Sequence, residues 1–380
     1  MTAPWVETTL PTLLSRYKLK DIYNSDEFGL FYQCLPGKTY HFTNEKCVGG
    51  KHNKVRLTGM AAGNAFGERL EMFVIGKSAK PRCFKGAKSI PCRYCNQKKS
   101  WMDSELFEDW VRELDRKFGA QKRKIALVID NCPAHPEVTG LDWIELVFLP
   151  PNTTSITQPM DQGIIRSLKA KYRSLAVKKQ IMGMEKNKEE LPKFTILTAM
   201  TMLRQSWDSI PNQTFTNCFK KAGISTEAAE RALNDQDDPF AGLDIEENFV
   251  KELETGLEKL KENFAIDYRL SADQLVDVDA QTSISGSRSD ADILAEVTES
   301  NVITTDEESD TEEPNENDIP LRKPSTNDVV AALNTLEELS VFMKFGNNLL
   351  HGLKDVNKPI ELELLSSKKQ ANIEGFFRRT

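Results

Sequence analysis

The sequence predicts an α/β domain with a mixed sheet flanked by helices, then an acidic, mostly disordered linker and a C-terminal helix. Three observations carry this. Short apolar runs broken by Gly and Asn fill residues 21–62 and recur near 124–130 and 141–149. Helical apolar spacing separates and follows them. Beyond about residue 235 hydrophobicity falls and acid takes over. At 380 residues, one large domain with appendages, or two domains, is expected.

Residues 1–20 read as a lead-in and 21–235 as the folded domain. "IYNSDEFGLFY" is the first strand, and "RLTGMAAGNAFGERLEMFVIGKS" reads as an antiparallel hairpin turning at Asn64 to Gly67. Leu106, Trp110 and Leu114 fall four apart behind Ser104, which is placed to cap an amphipathic helix. "KIALVIDNCPAHP" is a buried strand that stops on Asp130, and "LDWIELVFLPPN" is another, ended by Pro150 and Pro151. A helix starting near Met160 places Asp161, Ile165, Leu168, Tyr172 and Leu175 on one stripe facing the sheet. Residues 236–325 read as the linker, with one helical signal at "EENFVKELETGLEKLKENF". Residues 326–356 read as an amphipathic helix, with Val329, Leu333, Leu336, Leu339 and Met343 three or four apart, suited to self-association or to docking on the main domain. Residues 357–380 form the tail.

Charge is unevenly placed. The net charge of -7 is concentrated late, and no Lys or Arg lies between Arg288 and Arg322. Earlier, Arg166, Lys169, Lys171, Arg173, Lys178 and Lys179 form a basic cluster suited to tracking nucleic-acid phosphates or to a solvated helix face. No window approaches the roughly 18 uncharged apolar residues of a membrane span, so no membrane partner is expected. The N-terminus lacks the pattern of a secretion signal. Seven irregularly spaced cysteines point to a reducing compartment, cytoplasm or nucleus. Cys92 and Cys95 form a C-x-x-C with Cys83 upstream, but no second pair completes four ligands, and no zinc is expected.

Three acids stand out: Asp26 in the first strand, Asp130 at a strand end, and Asp161 at a helix start. A buried carboxylate must be hydrogen-bonded, neutralised, or hold a cation. Several carboxylates together suit Mg²⁺ and, with two ions, phosphodiester chemistry. Spacing alone leaves turn-forming and helix-capping roles open for Asp130 and Asp161, and Glu27 stands as an equal candidate beside Asp26. His135 reads as a loop histidine with a structural hydrogen bond, close enough to assist at a metal site.

The linked strings "YNSDEFGLF", "GGKHNKVRLTGMAAGNAFGE", "LVIDNCPAHP" and "VFLPPNTTSITQPMDQGII", with the basic helix after them, resemble the pogo and Tigger branch of DDE transposases in the Tc1/mariner superfamily. The resemblance covers roughly residues 10–235. It implies an RNase H-like fold and puts the family's metal-binding, catalytic aspartates at Asp26, Asp130 and Asp161. It further implies Mg²⁺ or Mn²⁺ as cofactor, DNA as partner and the nucleus as location. The family usually carries two helix-turn-helix modules ahead of this domain, whereas here the matching motifs begin near residue 10, so sequence-specific DNA reading is not expected of them. Phe28 stands where relatives tend to have a small hydroxyl residue, a ring placed to disturb the metal site or simply to pack.

The tail "KKQANIEGFFRRT" holds Gln370, Ile373, Phe376 and Phe377 in a pattern similar to the peptide that docks on the sliding clamp, proliferating cell nuclear antigen. One helical turn would unite Ile373 and both rings in an apolar plug. Two functions follow: a metal-dependent DNA endonuclease or strand transferase, and a non-catalytic nuclear adaptor recruited through the clamp.

Overall fold

The computed structural model describes residues 5–33, 55–151, 153–186, 194–225, 245–264, 270–286 and 324–340, with isolated positions at 352, 353, 356 and 360. Six strands form one sheet: β1 (Ile22–Phe31), β2 (Arg56–Asn64), β3 (Phe73–Gly76), β4 (Arg93–Asn96), β5 (Ile125–Ile129) and β6 (Ile144–Phe148), in the order β4-β3-β2-β1-β5-β6. The pairs β1–β2 and β2–β3 are antiparallel, while β1–β5, β5–β6 and β3–β4 are parallel. This is the RNase H-like mixed sheet.

Alternation along the strands builds two cores. Ile22, Phe28 and Leu30 of β1 face one side with Leu57, Ala61, Val74, Ala126 and Val128, and the helix α4 (Ile164–Lys186) covers them with Ile164, Leu168 and Tyr172. Tyr23 faces the other side with Met60, Phe73, Ile75, Leu127 and Ile129, beneath Phe107, Trp110, Val111 and Leu114 of α2 (Ser104–Ala120). The cap of α2 is Asp103, which accepts from Leu106 N–H at 3.1 Å; Ser104 is already helical. Phe28 is packed in the first core, and its ring occupies the space where Gly59 has no side chain, since a Cβ there would lie 2.4 Å from Phe28 Cζ. Cys92 belongs to one core and Cys95 packs on the other, so their thiols lie on opposite faces of the sheet.

Among the described residues of this unit, further helices precede and follow α4: α1 (Leu10–Arg16), the short α3 (Thr154–Thr157), α5 (Ile196–Ser209), α6 (Asn212–Lys221) and α7 (Ile245–Phe264), with the one-turn α8 (Ala272–Val276) after them. α7 and α8 correct the linker expectation. Val250, Leu253, Leu260, Leu275 and Val276 pack with Ala170, Val177 and Met184 of α4 in a third apolar cluster. Gly256 lets α7 approach, because a Cβ there would sit 2.8 Å from Val177 Cγ1. The segment after α8 returns to the sheet: Met102 N–H donates to Ile284 O at 2.9 Å, and Phe31 N–H to Asp279 Oδ2 at 3.1 Å. Residues 245–286 are therefore folded structure except for 265–269, which lie outside the described residues.

Residues 320–380 form a separate unit, in which α9 (Thr326–Ser340) exposes Leu336 and Leu339. The clamp motif at Gln370, Ile373, Phe376 and Phe377 lies outside the described residues.

Candidate active site

Parallel pairing aligns Asn24 with Val128, so β1 and β5 run side by side towards Asp26 and Asp130. Asp26 shares a strand face with Ile22, Asn24 and Phe28, the face covered by α4. Asp161 reaches the same place differently from the sequence expectation. It sits not on α4 but in a 3₁₀ turn, Pro159–Gln162, separated from the helix by Gly163 at φ 139°, where a side chain would be strained.

Asn24, which the sequence reading passed over, joins these segments. It is fully buried; its Nδ2 donates to Val128 O at 2.9 Å and its Oδ1 accepts from Met160 N–H at 2.8 Å. One amide thus ties β1 to both β5 and the Asp161 turn. Gln158, also buried, lies beside Asp26 and favours its charged form.

The side chains of Asp26 and Asp161 lie close enough to interact directly. Burial, then the charges of Asp161, Glu27 and Asp130, push the Asp26 carboxyl well above its usual range, while Gln158 opposes the rise. Burial likewise raises Asp161, with Asp130 adding to it and the interaction with Asp26 working against it. Asp26 and Asp130 are half-buried and Asp161 is exposed on its outer side. Among the described residues no Lys or Arg pairs with any of the three.

Glu27 takes another part. It points to the opposite face, towards α2, and its Oε1 lies 2.7 Å from His135 Nε2, both side chains being buried. The His135 ring stacks at 4.4 Å on Phe107. Its Nδ1 lies 2.7 Å from Asp130 Oδ1 and 3.3 Å from Asp130 O, and the hydrogen bond is aligned with the main-chain oxygen. Asp130 Oδ1 thus remains a buried atom without an aligned hydrogen bond. Burial would lower the His135 pKa, but the Glu27 charge and the bonds to Asp130, Cys132 and Glu27 reverse this and raise it, holding a cationic ring. The donor atoms of Asp130, Cys132 and His135 gather within 4.8 Å of one another.

The basic cluster does not line this site as an open phosphate track. Lys169 and Arg173 are buried, at 2.6 and 2.7 Å from the two oxygens of Asp279. Lys171 pairs with Glu252 at 2.8 Å, and Lys178 bonds the other oxygen of the same carboxylate. Arg166 bonds Glu246 and, at 2.5 Å, Asp273. Lys179 is exposed with no ion pair among the described residues. Neither an open phosphate track nor a merely solvated face describes these paired cations: their counter-charges arrive from α7, α8 and Asp279, some 74 to 110 residues later.

The mixed sheet thus brings Asp26 of β1, Asp130 after β5 and Asp161 of the following turn into electrostatic contact, with no Lys or Arg paired to them among the described residues. Residues 54–219 match the DDE superfamily endonuclease domain, a span that holds Asp130 and Asp161. The chain is 36% identical over 353 residues to mouse (Mus musculus) Tigger transposable element-derived protein 4, covering 92% of this chain and 66% of that protein. It belongs to the Tigger-type transposable-element-derived proteins of the DDE superfamily. It is also 32% identical over 230 residues to the human (Homo sapiens) Jerky protein homolog, covering 57% of this chain and 40% of that one. Human Major centromere autoantigen B is 26% identical over 219 residues, covering 56% and 35%. Among solved structures, the Mos1 transposase paired-end complex with left transposon end is similar at TM-score 0.33 and 12% identity, over 66% of this chain and 61% of that one. The chain spans about two thirds of its Tigger relative's length and less than half of the Jerky and centromere proteins.

Proposed function

We propose that this transposase-derived protein binds DNA in the nucleus and uses Asp26, Asp130 and Asp161 for Mg²⁺- or Mn²⁺-dependent phosphodiester cleavage or strand transfer. The carrying observation is a pair of directly interacting carboxyls, Asp26 and Asp161, beside Asp130 and with no Lys or Arg paired to them among the described residues. Such a cluster is electrostatically incomplete, and its all-oxygen donors, including the unaligned Asp130 Oδ1, fit a hard divalent cation. When bound, divalent ions would activate the attacking oxygen and stabilise the leaving one. The protein's own groups set the geometry. Gln158 orients Asp26, Asn24 fixes the Asp161 turn against β1, and the cation of His135, anchored by Glu27, restrains Asp130. The relative named for the centromere supports the nuclear and DNA assignments. Supercoiled-plasmid nicking with Mg²⁺ or Mn²⁺ tests the reading: wild type nicks and Asp130→Ala does not. Equal nicking by both removes the assignment.

The tail motif favours a second reading, a clamp-recruited adaptor without cleavage. Phe376→Ala with Phe377→Ala then abolishes binding to the sliding clamp, and undiminished binding refutes it.

A further inference from the structure

The basic surface that the sequence reading sought on α4 has a counterpart elsewhere. An open groove of about 610 Å³ is lined by Arg16, Lys18, Lys20, Lys122, Arg123 and Lys124. Two of these cations are committed. Arg16 makes a bidentate pair with Glu145, and Arg123 bonds Asp21 and Glu68 while lying over the Tyr23 and Phe118 rings. The four lysines are exposed and have no ion pair among the described residues. On a chain of net charge -7, four unmatched lysines around one groove are a local reversal of sign.

The groove is fixed in place by the fold. Lys18 precedes and Lys20 lies within the turn that enters β1, and Lys122 and Lys124 flank Arg123 in the turn that enters β5. Arg123 clamps the two turns together by bonding the side chain of Asp21 and the main-chain O of Lys20. The two parallel strands leave this end, β1 passing through Asp26 and β5 ending just before Asp130, so Lys124 and Asp130 are six residue steps apart, roughly 20 Å at the rise of a strand.

We propose that this groove is a docking surface for the phosphate backbone of duplex DNA, away from the reacting bond. Flexible, solvated ammonium groups act as point charges without the forked geometry that reads a single planar anion. That suits a repeating polyanion, whose phosphates occur at short regular intervals and release counterions on contact. The inference rests on the DNA reading above but not on cleavage.

The test uses the full chain in EDTA, with fluorescence anisotropy of a labelled random-sequence duplex across salt concentrations. Four phosphate contacts contribute a log–log salt slope of about 3.6 and weaken binding roughly 150-fold between 50 and 200 mM salt. The variant Lys18→Glu, Lys20→Glu, Lys122→Glu, Lys124→Glu should lose that slope and bind at least about a hundredfold more weakly at 50 mM salt. The matching four-fold Lys→Arg variant should bind as wild type does, which separates charge from folding. Unchanged affinity and slope in the Glu variant overturn the groove while leaving DNA binding intact. Failure of wild type to bind duplex overturns both. Binding through the groove with no metal-dependent nicking keeps this proposal and sinks the catalytic one.

Discussion

Asn24→Ala is the sharpest probe of how the acids are brought together. The substitution removes the donor to Val128 O at 2.9 Å and the acceptor of Met160 N–H at 2.8 Å, at a position with no solvent exposure. A buried polar group left without its partner costs about 1–3 kcal/mol. With two such groups, and with partial relief from a water entering the vacated space, the expected loss is about 2–4 kcal/mol. The Asp161 turn also loses its tie to β1, so divalent-ion affinity should fall together with stability. Urea denaturation gives the first quantity and calorimetric titration with Mn²⁺ the second. A midpoint equal to wild type, or full Mn²⁺ affinity in a destabilised protein, would refute the view that this amide assembles the site.

The raised carboxyls of Asp26 and Asp161 predict a particular pH dependence. The native state keeps protons that the unfolded chain releases, so in EDTA stability should decline as pH climbs from the ordinary Asp value of 3.8 towards the native one. Asp26→Asn should therefore melt higher than wild type at pH 7 without metal and should lose most of the stabilisation that Mn²⁺ gives, as read by thermal melts; a lower melting temperature in EDTA contradicts this. Asp279→Ala strips two buried cations of their shared acid and should cost about 3–5 kcal/mol in urea melts, with an unchanged midpoint counting against the pairing.

Much of the sheet was legible because its strands are two-faced or wholly apolar. β1, β2, β5 and β6 and the stripe of α2 all announce themselves by period. Strand alternation also resolves the choice between adjacent acids: Asp26 falls on the α4 face with Asn24, and Glu27 falls on the α2 face with His135. Other features leave no local signature. A buried amide such as Asn24 has no period, and its partners lie 104 and 136 residues away. The pairing of the α4 cations is hidden for a related reason. A string of lysines and arginines shows its charge but not the acids that will neutralise it, and Glu252 and Asp279 stand in a segment whose acidic composition suggests disorder. The spacing of Asp161 fits the helix, yet Gly163 at φ 139° breaks the register.

The ion triad at Asp279 bears on how the polypeptide matures. Arg173 and Lys169 are interred beneath a carboxylate that emerges from the ribosome more than a hundred residues after them. Until that late segment arrives, the two cations stay in water and the apolar face of α4 that α7 covers stays bare, so final closure of the domain must wait for translation to pass residue 279. A recombinant fragment stopped at residue 219, where the DDE match ends, leaves Ala170, Val177 and Met184 uncovered and should be poorly soluble.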